Sequence, residues 1–215
     1  MNYILSSHAQ GTPEWKADRA GKATGSRAAD ILAKIKTGEA AARRDYRVQL
    51  VTERLTGAPA DDGFTSKEML WGTEQEPFAR MAYEELTGVL VREAGFTYLP
   101  NLSVGCSVDG FTEDDGFLEI KCPKSATHIA YIQAGTVPSQ YVPQITHNLW
   151  VTGCKYADFV SFDPRLPDYL QLHIVRFERD EEKIKAHEAE VMAFLKEVDA
   201  LESSLRKRQE LKLAA

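Results

Sequence analysis

The hydrophobic period changes along this chain, from about 3.6 residues to 2 and back, and no other feature limits the fold as much. Helical spacing comes first. Trp15–Arg19 reads as a short amphipathic turn, and Ser26–Ile35 carries Ala29, Ile31, Leu32 and Ile35 on one face, ended by Gly38. Glu39–Leu55 reads as a second helix, closed by Thr56-Gly57, and the run from Ala58 to Gly63 has the turn chemistry of a loop. Thr65-Ser66-Lys67-Glu68 and Thr73-Glu74-Gln75-Glu76 both fit capping boxes, with Gly72 between them and Pro77 just after. The expected result is a short turn and then a fresh helix from about Glu74 to Leu86.

Short β-rich segments follow at Val89–Arg92, Phe96–Leu99, Ser103–Val108 and Phe117–Lys121. Gly110–Gly116 reads as the hairpin connection between the last two. Helical spacing returns at Ala126–Gly135 and Gln140–Thr152. Asp158–Phe162 and Tyr169–Phe177 read as a second strand pair. A long helix starts near Arg179, with Ile184, Val191, Phe194, Leu195, Val198, Leu201 and Leu205 as its apolar stripe. This order predicts an α/β fold, a central mixed sheet flanked by helices.

Charge is unevenly placed. The net charge of −6 argues against a nucleic-acid partner, but position matters more than the sum. Glu14–Arg54 holds ten basic against six acidic residues, and Asp61–Glu119 holds three against thirteen. Such a chain can hold phosphates in one place and cations in another; two solvated surfaces of unequal sign are the simpler alternative. Three cysteines without a CxxC pair make a disulfide framework improbable and a reducing cytoplasm the expected compartment. The five histidines have no zinc spacing, and there is no Walker motif for ATP. No apolar run is long enough to cross a membrane, and the first residues do not read as a signal peptide.

The chemistry concentrates in Ser107-Val108-Asp109-Gly110 and Leu118-Glu119-Ile120-Lys121-Cys122-Pro123. Glu119 and Lys121, two apart on a strand, emerge on one face, and Ile120 points the other way. Asp109 ends the preceding strand of the hairpin and can stand beside Glu119. Two adjacent carboxylates repel unless a hard cation lies between them, and Mg²⁺ takes one or two carboxylates with waters and phosphate oxygens. With Lys121 nearby to orient or deprotonate a water, the arrangement suits metal-assisted phosphodiester hydrolysis. Alone, Glu-x-Lys is more commonly an exposed ion pair worth under ~1 kcal/mol. Glu76 can be a capping residue or line a cleft with Arg80 and Tyr83, opposite Phe78, Met81 and Ala82. Gln144 and Tyr141, three apart, can reach one site or lie on the surface, and Ser26 can be an N-cap.

Asp109, nine intervening residues and then Glu119-Ile120-Lys121 resemble the motif of the PD-(D/E)xK nucleases. The longer run Cys106–Gly110 with Leu118–Pro123 resembles the phage lambda exonuclease and YqaJ recombinase group. So do Trp15 with Arg19–Ser26, Trp71–Glu76, Tyr141–Trp150, Phe162–Arg165 and Glu178–Glu181, in collinear order. Val108 stands where the motif's name has Pro, which is not a ligand.

The resemblance implies a restriction-endonuclease-like core. A single nuclease domain over 1–215 would comprise a helical part over 1–60, a catalytic core over 64–178 and a C-terminal helix over 179–215. The implied activity is a Mg²⁺-dependent 5′-to-3′ exonuclease on double-stranded DNA, releasing 5′-mononucleotides and leaving 3′ overhangs for single-strand-annealing recombination. Asp109, Glu119, the Ile120 carbonyl and Glu76 would hold metal, two ions per site, with Mn²⁺ able to substitute. Lys121 would activate water, and Gln144 would bond near it, with Tyr141 in support. Arg19, Ser26 and Ser107 would bind the DNA 5′-phosphate, since a guanidinium fork and two hydroxyls suit a terminal phosphate. A homotrimeric ring, a single-strand annealing protein as partner and a bacterial host cytoplasm, if the chain is of phage or prophage origin, are also implied. A structure- or sequence-specific endonuclease and a non-catalytic DNA clamp are the alternatives.

Overall fold

The computed structural model describes residues 3–60 and 66–213. From the N-terminus, β1 (Ile4–Leu5), α1 (Pro13–Arg19) and β2 (Ala23–Thr24) lead through a 3-10 turn, Gly25–Arg27, into α2 (Ala28–Leu32) and α3 (Ala41–Thr56). Next come α4 (Lys67–Thr87) and the short strands β3 (Val91–Arg92), β4 (Thr97–Tyr98), β5 (Val104–Cys106), β6 (Gly110–Thr112) and β7 (Gly116–Lys121). α5 (Ser125–Ala134) and α6 (Val142–Thr152) cross over to β8 (Tyr156–Phe162). The turn α7 (Asp168–Gln171), β9 (Leu172–Glu178) and α8 (Glu181–Leu213) complete the order.

The fold is α/β, with two mixed sheets flanked by helices. The larger sheet has the order β3-β6-β7-β8-β9, and the smaller β1-β4-β5-β2. β7 and β8 are parallel, with Glu119 opposite Phe159 and Lys121 opposite Ser161. A parallel pair needs a crossover, which α5 and α6 supply. β7 is buried on both faces: Phe117 joins the main core with α6 and α8, while Leu118 and Ile120 join a smaller one with Ala79 and Tyr83 of α4.

Several elements differ from their expected form. Ser103–Val108 and Phe117–Lys121 are not one hairpin. β5 belongs to the smaller sheet, and the expected turn contains β6, which pairs antiparallel with β7. Asp109 therefore lies at the bend between the two sheets. α4 is one helix rather than a turn and a restart. Ser66 caps it by accepting from the Met69 N–H at 3.1 Å, while Thr65 lies outside the described residues. The Thr73 hydroxyl bonds back to the Met69 carbonyl and caps nothing. Pro77 removes one helical bond, but it and Thr73 are both exposed, so water can take the freed carbonyl.

The buried face of α4 is also the reverse of the expected one. Ala79 and Tyr83 are buried, whereas Phe78 and Met81 are 55% and 63% exposed. Tyr83 turns inward because its hydroxyl bonds buried Asp158 at 2.7 Å, which satisfies both polar groups. The expected helix Ser26–Ile35 is a 3-10 turn and a helix ending at Leu32, with Ile35 exposed. Ser26 makes no N-cap there. Tyr169–Gln171 is helical rather than strand.

The last helix packs on its own chain. The Asp180 carboxylate accepts from the N–H groups of Glu182 and Lys183 at its start, and Ile184, Val191, Phe194, Leu195 and Val198 are buried. Arg43 and Arg47 of α3 reach Glu197 at 2.7 and 3.0 Å, and Arg54 reaches Asp199 at 2.7 Å. Part of the basic excess near the N-terminus therefore holds α8.

Candidate active site

The site gathers at the C-terminal end of β7, the end at which open α/β sheets offer a crevice. Strand alternation sends Glu119 and Lys121 toward α6, and Lys121 Nζ lies 2.5 Å from Glu119 Oε1. The Gln144 amide donates to the same oxygen at 2.7 Å, and the Asn148 amide donates to Glu119 Oε2 at 3.3 Å. Glu119 is only 1% exposed beneath these donors.

Antiparallel pairing of β6 with β7 sets Gly110 opposite Leu118. Asp109 is thereby anchored twice: its N–H donates to the Leu118 carbonyl at 3.1 Å, and its Oδ2 accepts the Ile120 N–H at 2.6 Å. Glu76 approaches from α4 and accepts from Arg80 at 3.1 Å, and Arg80 also pairs with Glu93. Glu76, Asp109, Ile120, Lys121 and Tyr141 line one cavity of about 420 Å³. Glu76 and Asp109 also line a second, of about 530 Å³, walled by Ser6–Gln10. Tyr141 directly precedes α6 and stacks on Phe159, with its ring 5.4 Å from Lys121 Nζ.

The carboxylates are in tension. Burial, and then the charge of Asp109, push Glu76 up to about 7 from 4.5. Burial raises Glu119 to about 7 as well; Lys121 opposes this, and the charges of Asp109 and Glu76 add to it. Asp109 is raised by burial, against the pull of Lys121 and of the Ile120 N–H. Burial works to lower Lys121, but Glu119 and Asp109 outweigh it and hold the ammonium above the ordinary lysine value. Among the described residues, no three His, Cys, Asp or Glu side chains are close enough to form a ready metal cage. Mg²⁺ needs only one or two carboxylates beside its waters. Three hard-oxygen donors, each raised by burial and two of them raised further by the charge of Asp109, suit such a cation.

A second cluster is cationic. Arg19 donates to Ser107 Oγ at 3.2 Å and to Ser26 Oγ at 3.4 Å, and the Trp15 indole N–H donates to Ser107 Oγ at 3.2 Å. The Arg19 guanidinium lies over the Trp15 ring at 4.2 Å, which holds its plane. Lys16, Arg19, Lys22, Ser26 and Arg27 line a cavity of about 210 Å³. Its one acidic residue, Glu53, is occupied by the N–H groups of Gly21 and Ala60 and by Gln49.

The family model of the YqaJ-like viral recombinase domain matches residues 14–155, which contain all the residues of both clusters. The chain belongs to that family. No functionally curated protein matches this YqaJ-like chain in sequence. Among solved structures it is similar to LHK-Exo in complex with dAMP, at 42% identity and a TM-score of 0.85, covering 94% of this chain and 100% of the other. A structure of LHK-Exo described as an alkaline exonuclease from Laribacter hongkongensis matches at 41% identity and a TM-score of 0.83, with the same coverage. A phage related exonuclease from Haemophilus somnus, 18% identical over 86% of this chain and 96% of its own, has a TM-score of 0.64 and shares the fold.

The YqaJ-like chain thus brings Asp109, Glu76, Ile120, Lys121 and Tyr141 to one cavity, with Glu119 and Gln144 beneath it. Arg19, Ser26 and Ser107 form a separate triad. One residue in this geometry escaped the sequence reading, Asn148. It lies four residues after Gln144, which was singled out from the sequence, so one helical turn was the available signal.

Proposed function

We propose that the chain is a Mg²⁺-dependent exonuclease that degrades double-stranded DNA from a 5′-phosphorylated end. Family membership supports a DNA exonuclease role. The observation that carries the finer reading is the pairing of a carboxylate–lysine cluster with a separate arginine–hydroxyl triad in one chain. Only an enzyme that reads a terminus needs both.

Asp109, Glu119, the Ile120 carbonyl and Glu76 are the residues to hold Mg²⁺ or Mn²⁺, two ions per site. The bound metal supplies Lewis-acid polarisation of the phosphodiester and a nucleophilic water at neutral pH. Lys121 bonds Glu119 and lines the cavity, where its ammonium would orient the attacking water, with Gln144 and Tyr141 fixing its surroundings. Arg19, Ser26 and Ser107 bind the terminal phosphate through charge-assisted and hydroxyl hydrogen bonds. The dAMP bound to the similar exonuclease supports mononucleotide products.

Degradation from 5′ ends leaves 3′ overhangs, the substrate of a single-strand annealing protein, and we place the chain beside such a partner in recombination. A closed homotrimer lets an acidic chain stay on DNA, because only the channel must be positive. The host cytoplasm is the compartment, and residues 1–215 act as one nuclease domain.

The test compares linear duplex with 5′-phosphate, linear duplex with 5′-hydroxyl and closed circular plasmid, each with Mg²⁺. Rapid loss of the first alone is expected. Cutting of the closed circle would replace this reading with an endonuclease, and inertness on all three with a DNA clamp. Light scattering of the eluting protein should give three times the 24.0 kDa chain mass, and a monomer would remove the ring.

A further inference from the structure

Asn148 lies between the two clusters. It is fully buried on α6, one turn beyond Gln144. Its amide nitrogen donates to Glu119 Oε2 at 3.3 Å, while Lys121 and Gln144 both bond the other oxygen. Among the described residues, Asn148 Oδ1 has no hydrogen-bond partner. A buried unpartnered amide oxygen is costly, and an apolar side chain would avoid it. What Asn148 offers that an apolar residue cannot is the donor to Glu119.

Gly25 packs against the same side chain. A Cβ at Gly25 would stand 2.0 Å from Asn148 Oδ1 and 3.1 Å from its Cγ, so any larger residue must displace the amide. Gly25 opens the 3-10 turn that carries Ser26 and Arg27 to the cationic cavity. One buried side chain thus touches the backbone of the arginine–hydroxyl cluster and the buried carboxylate of the other.

We propose that Asn148 is a positioning residue that sets the carboxylate plane of Glu119 and, through Gly25, fixes the spacing between the terminal-phosphate pocket and the metal-binding carboxylates. This rests on the nuclease reading above. Asn148 is too buried to meet DNA and acts through Glu119. Partners that orient a metal ligand commonly account for about 10- to 100-fold in metal affinity.

The experiment is calorimetric titration of Mn²⁺ without DNA into the wild type, Asn148→Ala, Gly25→Ala and the double variant, with melting temperatures as the folding control. Each single variant should bind Mn²⁺ about tenfold more weakly. The double variant should lose no more than Asn148→Ala alone, because the methyl added at position 25 acts through a side chain that is gone. Should Asn148→Ala not fold, Asn148→Ser takes its place in the same cycle. Unchanged Mn²⁺ affinity in the folded position-148 variant, or additive losses in the double variant, would overturn the proposal. A wild type that binds no divalent ion would overturn the nuclease reading and this inference with it; a wild type that binds while the position-148 variant binds equally well removes this inference alone.

Discussion

The carboxylate cluster and the cationic cavity solve opposite problems. At the end of β7, three acids are crowded against burial and against one another, and two of them are driven to about 7. Around Arg19, hydroxyls and an indole face the guanidinium, and the one acid lining the cavity is already bonded to backbone N–H groups. The first region holds like charges close together out of water. The second is an ordered set of donors. A folded chain tolerates the first because α6 supplies neutral amides and β7 supplies Lys121. The lesson is that burial and like charge together oppose the carboxylate cluster, whereas what opposes Arg19 is burial, which lowers its guanidinium from the ordinary value.

The sharpest way to break this contrast is at Lys121. In Lys121→Ala, hydrolysis should fall by about 10²- to 10⁴-fold, the range for a positioned group in proton transfer, while Mn²⁺ binding persists. Steady-state rates beside calorimetry check this, and loss of metal binding would make Lys121 a structural counter-ion instead. Asp109→Ala should lower divalent-ion affinity by more than about a hundredfold, exceeding what loss of a supporting partner does. Equal affinity in the wild type and this variant removes Asp109 from the ligand set.

On the cationic side, Arg19→Ala should erase the difference between 5′-phosphate and 5′-hydroxyl ends. A hydrogen bond to a charged group contributes roughly 1.5–3 kcal/mol, so the rate on phosphorylated ends should fall by about one to two orders of magnitude. Its metal affinity should not change. Digestion rates on the two substrates decide the matter.

The smallest effect concerns pH. Glu76 and Glu119 hold protons more tightly in the folded chain than their ordinary 4.5. The stability they contribute is complete below 4.5 and is lost as pH rises through about 7. Buried His147 and His187 have the opposite sign. Burial lowers them to about 3 and about 4 from 6.5, so their contribution is present above 6.5 and is lost as pH falls toward those values. Divalent cations held by the proposed ligands would displace the protons of the acids, not those of the histidines. The Mg²⁺-induced rise in melting temperature should therefore be larger above about pH 7 than below it, and activity should likewise favour alkaline pH. A rise that does not vary with pH would mean the acids are not the ligands.

The period change from helix to strand to helix and the Glu-x-Lys spacing were legible because both follow from local geometry. Side chains two apart on a strand share a face whatever surrounds it, so Glu119 with Lys121 could be read directly. The apolar stripe of α8 was legible for the same reason. By itself, then, the sequence determined the α/β class, the carboxylate–lysine pair and the uneven distribution of charge. Tertiary structure decided the rest. Tyr83 faces inward and Phe78 outward because the buried Tyr83 hydroxyl finds its acceptor in Asp158, distant in sequence. Ser103–Val108 contributes to a different sheet because β6 takes the place beside β7. Asn148 became visible only once Gly25 and Glu119 closed around it, since contacts between residues far apart in sequence arise from packing and leave no periodic trace in the chain.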